Sequence, residues 1–369
     1  MRTRRMLAVA ASALAMASCA GGPPRSAPTP EAQGPSSHGE SNTGGPTERG
    51  TPARSPAAGP QGVVTVGFAG DVHFEGPLEP LVSGSGGALG PIESSLRQPD
   101  LMVVNLETAI SERGTPEPKA YQFRAPPLAL DVLAAAGVDL VSLANNHAAD
   151  YGAVGLADTL AALRDSPIPA IGIGANVREA FRPHRVSIRG TRLAFFAVTT
   201  KDDRTANAWA AQTGKAGVAV AVRPRPRLLR AVSRASIRAD VVVVYLHWGI
   251  EKAPCPSRSQ IAHANTLSAA GADVVLGTHA HVLQGAGWLG DTYVGYGLGN
   301  FLWYNQGSID TGILELTIRG GEVVGDAWRP AHIQADGLPV PLLGSERAAE
   351  IADWRQLRAC TGLAETPSD

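Results

Sequence analysis

The chain has 369 residues, of which 44% are hydrophobic and 18% charged. That balance is globular, leaves ample length for a buried core, and excludes a wholly disordered or fibrous chain. The formal net charge is −1 and the pI is near 6.8, so nothing in the overall balance points to nucleic acid or to a charged membrane patch.

Arg2, Arg4 and Arg5 precede an apolar run from Met6 to Met16. The run is too short for a permanent membrane span and has the form of an export signal over residues 1–18. Two processing routes fit. Ala15-Met16-Ala17 suits cleavage to a soluble secreted protein. Met16-Ala17-Ser18-Cys19 suits lipidation of Cys19, which would anchor the protein to the outer face of the cell membrane. A lone cysteine followed by a polar tether favours the anchored form, with the secreted form as the alternative. Residues 19–61 are rich in Pro, Gly, Ser and Thr and lack aliphatic periodicity, which predicts a disordered linker. The folded domain is expected over 62–345, with a C-terminal tail over 346–369. Cys255 and Cys360 are either a disulfide, as an exported protein permits, or two free or buried thiols.

Beyond Val63, strands and helices are predicted to alternate. Strands are expected over Val63–Ala69 and Leu101–Asn105. A helix follows over Leu128–Ala136, ended by Gly137. Next come a strand over Asp139–Leu143, a helix over Gly155–Arg164 and a brief strand over Ala170–Ile173. Arg185–Ile188 and Leu193–Val198 form a predicted hairpin around Arg189-Gly190. A helix over Arg227–Arg238 leads to a strand over Asp240–Leu246, then a helix over Ser257–Ala270 to a strand over Asp273–Leu276. Tyr293–Tyr296 is a last short strand, and Ile313–Ile318 with Glu322–Trp328 a final hairpin. Short, fully apolar strands between helices predict an α/β architecture with buried sheets, and ligands in such folds bind beyond the carboxyl ends of the strands.

The chemistry-bearing residues fall at those ends. Asp71 and His73 follow the first strand, Asn105 and Glu107 the second, and Asn145, Asn146 and His147 the third. His247 follows Asp240–Leu246; His279 and His281 follow Asp273–Leu276. Any one of these has an ordinary structural explanation: a turn, a helix cap, a satisfied core histidine. Five strand ends carrying Asp, Glu, Asn or His make a converging polar site. The set suits two divalent metal ions of the Mn, Fe or Zn type, and the lack of cysteine in it argues against a closed structural zinc site. A carboxylate shared by two ions would hold them roughly 3.5–4 Å apart and activate a water. A histidine outside the ligand set would then protonate a leaving group.

The runs GDVHFEG, NLET, FRAPP, SLANNHAADYG, YLHWGIE, GADVVLGTHAHVLQG and YGLGNFLW stand in this order over about residues 63–305. Together they resemble the bacterial capsule synthesis family, CapA, of poly-γ-glutamate synthesis, which is similar to calcineurin-like metallophosphoesterases. The resemblance implies a four-layer α/β/β/α sandwich. It implies Asp71, His73, Glu107 and His281 around one metal, and Glu107, Asn146, His247 and His279 around the other. His147 becomes the proton donor and Asp150 the residue that orients it. Asn145, Arg124, Trp248 and Asn300 are candidate substrate contacts, with Lys119, Lys201 and Arg204 as further anion contacts; ordinary surface charge or core packing is the competing explanation for the basic and aromatic members. Glu107 stands where the phosphoesterases use Asp, and Thr278 and Ala280 depart from the family's closing motif. The implied partners are an anionic envelope polymer or a phosphoester, the membrane through the lipid anchor, and separate capsule-synthesis membrane proteins. A non-catalytic polymer scaffold on the same fold is the alternative function, and an exported nucleotidase a third.

Overall fold

The computed structural model describes residues 62–84, 86–222, 226–304 and 307–368. The export signal, the linker and the lipidation site at Cys19 lie outside the described residues.

Two large sheets lie face to face. The first has eight strands, with Val64–Val72 near its middle. On one side of it run the parallel partners Leu101–Leu106, Leu140–Ser142 and Ala170–Ile171. On the other runs the antiparallel series Asp310–Arg319, Glu322–Ile333 and Pro339–Pro341. Asn300–Leu302 also pairs with the end of Val64–Val72. The second sheet has six strands: Val241–His247 and Val274–Thr278 at its centre, Thr191–Thr199 and Thr292–Leu298 beside them, and His184–Ile188 and Leu283–Leu289 at its edges.

Alternation of side chains sorts the core into layers. Val64, Val66, Phe68, Leu101 and Val103 of the first sheet meet Leu193, Phe195, Val241, Val243 and Leu276 of the second in one buried cluster between the sheets. The opposite face of the first sheet packs on the helices Leu128–Ala136 and Gly152–Asp165. The opposite face of the second packs on Pro226–Ser236 and Arg258–Ala269. The expected four-layer α/β/β/α order is therefore present. Burial on both faces explains why the central strands read as unbroken apolar runs rather than alternating ones.

The helices end where local chemistry predicts. Gly137, at φ +107°, closes Leu128–Ala136 in the left-handed conformation. Ser257 and Gln260 form a reciprocal capping box at the start of Arg258–Ala269.

The C-terminal segment is part of the fold, which corrects the expected boundary at residue 345. Gly344–Gln356 is a helix whose Trp354 stacks on Trp328, ring centres 5.2 Å apart. Ala364 exchanges two backbone hydrogen bonds with Trp288. Cys255 and Cys360, left open by the sequence, form a disulfide with Cα atoms 5.8 Å apart.

Candidate metal centre

The parallel strands of both sheets deliver their carboxyl ends to one place. Asp71 is in register with Asn105 on one side and Asn300 on the other. The close approach that allows this falls at Gly70, where a Cβ would lie 2.0 Å from the Gly299 carbonyl oxygen.

Glu107 sits at the middle. It is fully buried, and neither carboxylate oxygen accepts a hydrogen bond. Burial, reinforced by the nearby Asp71 charge, pushes its carboxyl well above the usual range. Around His247 Nε2 crowd Asn146 Oδ1 at 2.7 Å, His279 Nδ1 at 3.0 Å and Glu107 Oε1 at 3.2 Å. One imidazole proton can serve only one of those atoms. Electron-pair donors gathered this closely fit a cation, and an orphaned buried carboxylate is costly without one. Burial depresses His247 to about 3, so it is a neutral ring able to ligate. Its Nδ1 is 3.0 Å from Thr278 Oγ1.

On the other side of Glu107, Asp71 accepts from the Asn105 amide at 2.8 Å and from the backbone N–H of His279 at 3.0 Å. His281 Nδ1 faces Asn300 Oδ1 at 2.8 Å and Asp71 Oδ2 at 3.3 Å. Burial disfavours its charge, but the hydrogen bond to Asp71 and the pull of Glu107 dominate and raise it to about 9. Both His279 and His281 hold left-handed backbone, φ +85° and +55°, which is uncommon for non-glycine residues and clusters at functional sites.

Within this centre, two groups have ligand atoms close enough to hold one ion: Asp71, Glu107 and His247, and Glu107, His279 and His281. Glu107 belongs to both, the position of a shared carboxylate. Asp71 with His281 at 3.3 Å, and His247 with His279 at 3.0 Å and Asn146 at 2.7 Å, are the neighbours that the resemblance joined.

His73 stands outside both groups. Its Nδ1 accepts from the Glu75 N–H at 3.0 Å, which leaves the proton of a neutral ring on Nε2. Its Nε2 is buried and has no hydrogen-bond partner among the described residues. Phe123 is wedged between His73 and His147, with ring centres at 4.7 and 4.2 Å. Trp303 and Tyr304 close the same side.

His147 Nδ1 lies 2.7 Å from Asp150 Oδ2, and its Nε2 points toward Glu107, 3.7 Å away. Lys119, weighed in the sequence against a plain surface role, is 2.5 Å from Asp150 Oδ1 and donates to the Asn146 carbonyl at 2.7 Å. Burial pushes Asp150 up to about 7, held back by the Lys119 ammonium.

The expected substrate contacts change roles. Asn145 spends its amide inside the protein, accepting from the His147 and Ala148 N–H groups and donating to Leu106 O and Asn105 Oδ1. Trp248 is fully buried and donates to the Tyr296 carbonyl, under Gly277, where a Cβ would lie 1.8 Å from the indole nitrogen. Asn300 holds His281. Arg124 is exposed, with its guanidinium over the Tyr151 ring, outside the cluster of imidazoles and carboxylates. Lys201 lies near enough to His247 and His279 to oppose their charging, and Arg204 is an exposed residue opening the short helix Arg204–Ala208.

The sequence profile described as "Bacterial capsule synthesis protein PGA_cap" matches residues 65–305, every one of these strand ends included. The chain belongs to this family. Among PGA_cap relatives, it is 34% identical over 215 residues to the capsule biosynthesis protein CapA of Bacillus anthracis, covering 56% of this chain and 50% of that protein. It is 28% identical over 250 residues to the PGA biosynthesis protein CapA of Bacillus subtilis strain 168, covering 66% and 64%. The chain thus spans about half to two-thirds of the length of these curated relatives. Among solved structures, a hypothetical protein from Thermus thermophilus aligns with a TM-score of 0.46 and 23% identity, covering 73% of this chain and 99% of that one.

Proposed function

We propose that the protein is a metal-dependent hydrolase of the cell envelope, serving capsule polymer synthesis. Two divalent ions would be held by Asp71, Glu107, Asn146, His247, His279 and His281. The observation that carries this reading is the buried Glu107 carboxylate, both oxygens unpartnered, amid imidazoles and an amide oxygen. When bound, such ions supply an activated water and neutralise developing negative charge on a substrate oxygen. The protein's own part is positional. Asp150 accepts from Nδ1 of His147, so Nε2 is the atom left to exchange a proton with the leaving group. Phe123, Trp303 and Tyr304 keep water from the His73 flank.

The substrate class proposed is a phosphoester or a γ-glutamyl polymer. We place the protein outside the cytoplasmic membrane, anchored through Cys19; the Cys255–Cys360 disulfide supports an oxidising compartment. Among the described residues no helix is long and apolar enough to cross a membrane.

The test is turnover of simple phosphoesters and of poly-γ-glutamate after incubation with Mn, comparing wild type with His147→Ala. Turnover lost in the variant while metal stays bound supports the hydrolase. Function in capsule assembly that survives His147→Ala points to the non-catalytic scaffold instead.

A further inference from the structure

The overall charge balance conceals one strongly basic site. On the edge of the second sheet a cleft of about 480 Å³ is lined by Arg178, Arg182, Arg185, Arg227, Arg234 and Arg238. All six side chains are exposed, and none forms an ion pair among the described residues. The one acid in the lining, Glu179, is engaged locally: it accepts from the Ala175 N–H at 3.0 Å and the Asn176 amide at 3.1 Å. The chain as a whole carries a formal −1, so six guanidiniums beside a single carboxylate in one concavity are a local excess of positive charge that an entering anion relieves.

The arrangement is two-walled. Arg185 lies on the edge strand His184–Ile188 with Arg182 just before it, and Arg178 on the short helix Val177–Ala180. Facing them is Pro226–Ser236, on which Arg227 and Arg234 are seven residues apart and so share one face, about 10 Å along the axis. Arg238 continues that row. Charges on both walls of a groove suit an extended anionic chain lying between them; a planar lipid surface would meet only the rims. Guanidinium forks pair two-pronged with carboxylates at every repeat.

We infer that this arginine cleft is a second site, separate from the metal centre, that binds an extended polycarboxylate chain. The identity of the chain as a γ-linked glutamyl polymer rests on the proposed function. A flexible polymer gripped at the cleft is held on the same molecule as the metal centre, which raises its effective concentration there within the polymer's reach.

The test uses the full-length protein and a fluorescently labelled poly-γ-glutamate, read by anisotropy across a salt series. Arg182→Ala, Arg185→Ala, Arg234→Ala and Arg238→Ala are combined in one variant. A charge-matched control carries Arg164→Ala, Arg319→Ala, Arg347→Ala and Arg355→Ala, all exposed elsewhere. The cleft variant is expected to bind on the order of tenfold or more weakly and with a flatter salt dependence, and the control close to wild type. Metal content and turnover of a small phosphoester stay unchanged in both. Equal affinity of cleft variant and wild type, or equal loss in the control, overturns the inference. So does arginine-dependent binding to phosphatidylglycerol vesicles with none to the polymer. A protein that binds the polymer through these arginines yet hydrolyses nothing supports the cleft while contradicting the hydrolase.

Discussion

Asp150 divides its two oxygens between His147, 2.7 Å away, and Lys119, 2.5 Å away. One buried carboxylate therefore fixes the orientation of the proton-exchanging imidazole and is itself fixed by an ammonium. Asp150→Asn keeps the shape and removes the acceptor charge. It is expected to lower kcat on a phosphoester by about 10²-fold or more, with metal content unchanged. Lys119→Met acts one step further out and is expected to cost about tenfold. Steady-state kinetics beside metal analysis check both.

Phe123 separates His73 from His147 with nearly parallel rings on either side. Phe123→Ala is expected to destabilise the protein by about 3 kcal/mol, as a buried aromatic truncation does, and to lower kcat. Phe123→Leu, which refills most of the volume, restores stability but not the stacking. Denaturant melts and kinetics on the two variants separate packing from ring alignment.

The Cys255–Cys360 disulfide closes a long loop, 105 residues apart in sequence, and ties the C-terminal helix to the segment after Val241–His247. The double variant Cys255→Ser, Cys360→Ser is expected to lose about 2–5 kcal/mol. Thermal melts with and without reductant measure it: reductant lowers the wild-type Tm and leaves the double variant unmoved.

Asp100 accepts from the Thr65 N–H at 2.9 Å and pairs with Arg189 at 2.5 Å, fastening the first strand to the turn before Thr191–Thr199. Burial pushes its carboxyl up, but the Thr65 hydrogen bond and the Arg189 pair outweigh it and hold the group below the ordinary 3.8. A depressed carboxyl contributes stability above its unfolded pKa and loses it as pH falls through the folded value. Asp100→Asn keeps an acceptor for Thr65 but loses a solvent-screened ion pair, and is therefore expected to cost about 0.5–1 kcal/mol at neutral pH, with the wild-type and variant melting temperatures converging below about pH 4.

Much of this was legible in the sequence because the strands are buried on both faces. Val241–His247 and Val274–Thr278 are unbroken apolar runs, and each terminates in the polar residue that faces the centre. The residues of the centre were legible for the same reason: Asp71, Glu107, Asn146, His247, His279 and His281 sit at strand ends where packing has no use for them. Their hydrogen-bond partners outside the centre were not legible. The stacking of His73 on Phe123, and the burial of Trp248 beneath Gly277, depend on tertiary approach. The helix Gly344–Gln356 escaped because only Trp354 of it is buried, which leaves little hydrophobic period to see. The arginine cleft escaped because its members come from three elements, and net charge sums away local clustering.

The central claim is that Glu107 is shared by two bound ions. The most direct test is metal content by mass spectrometry of purified protein after Mn incubation, beside a Glu107→Ala, His279→Ala double variant. The account predicts about two ions of Mn, Fe or Zn per chain, lost in the variant. Wild-type protein that remains metal-free would contradict it.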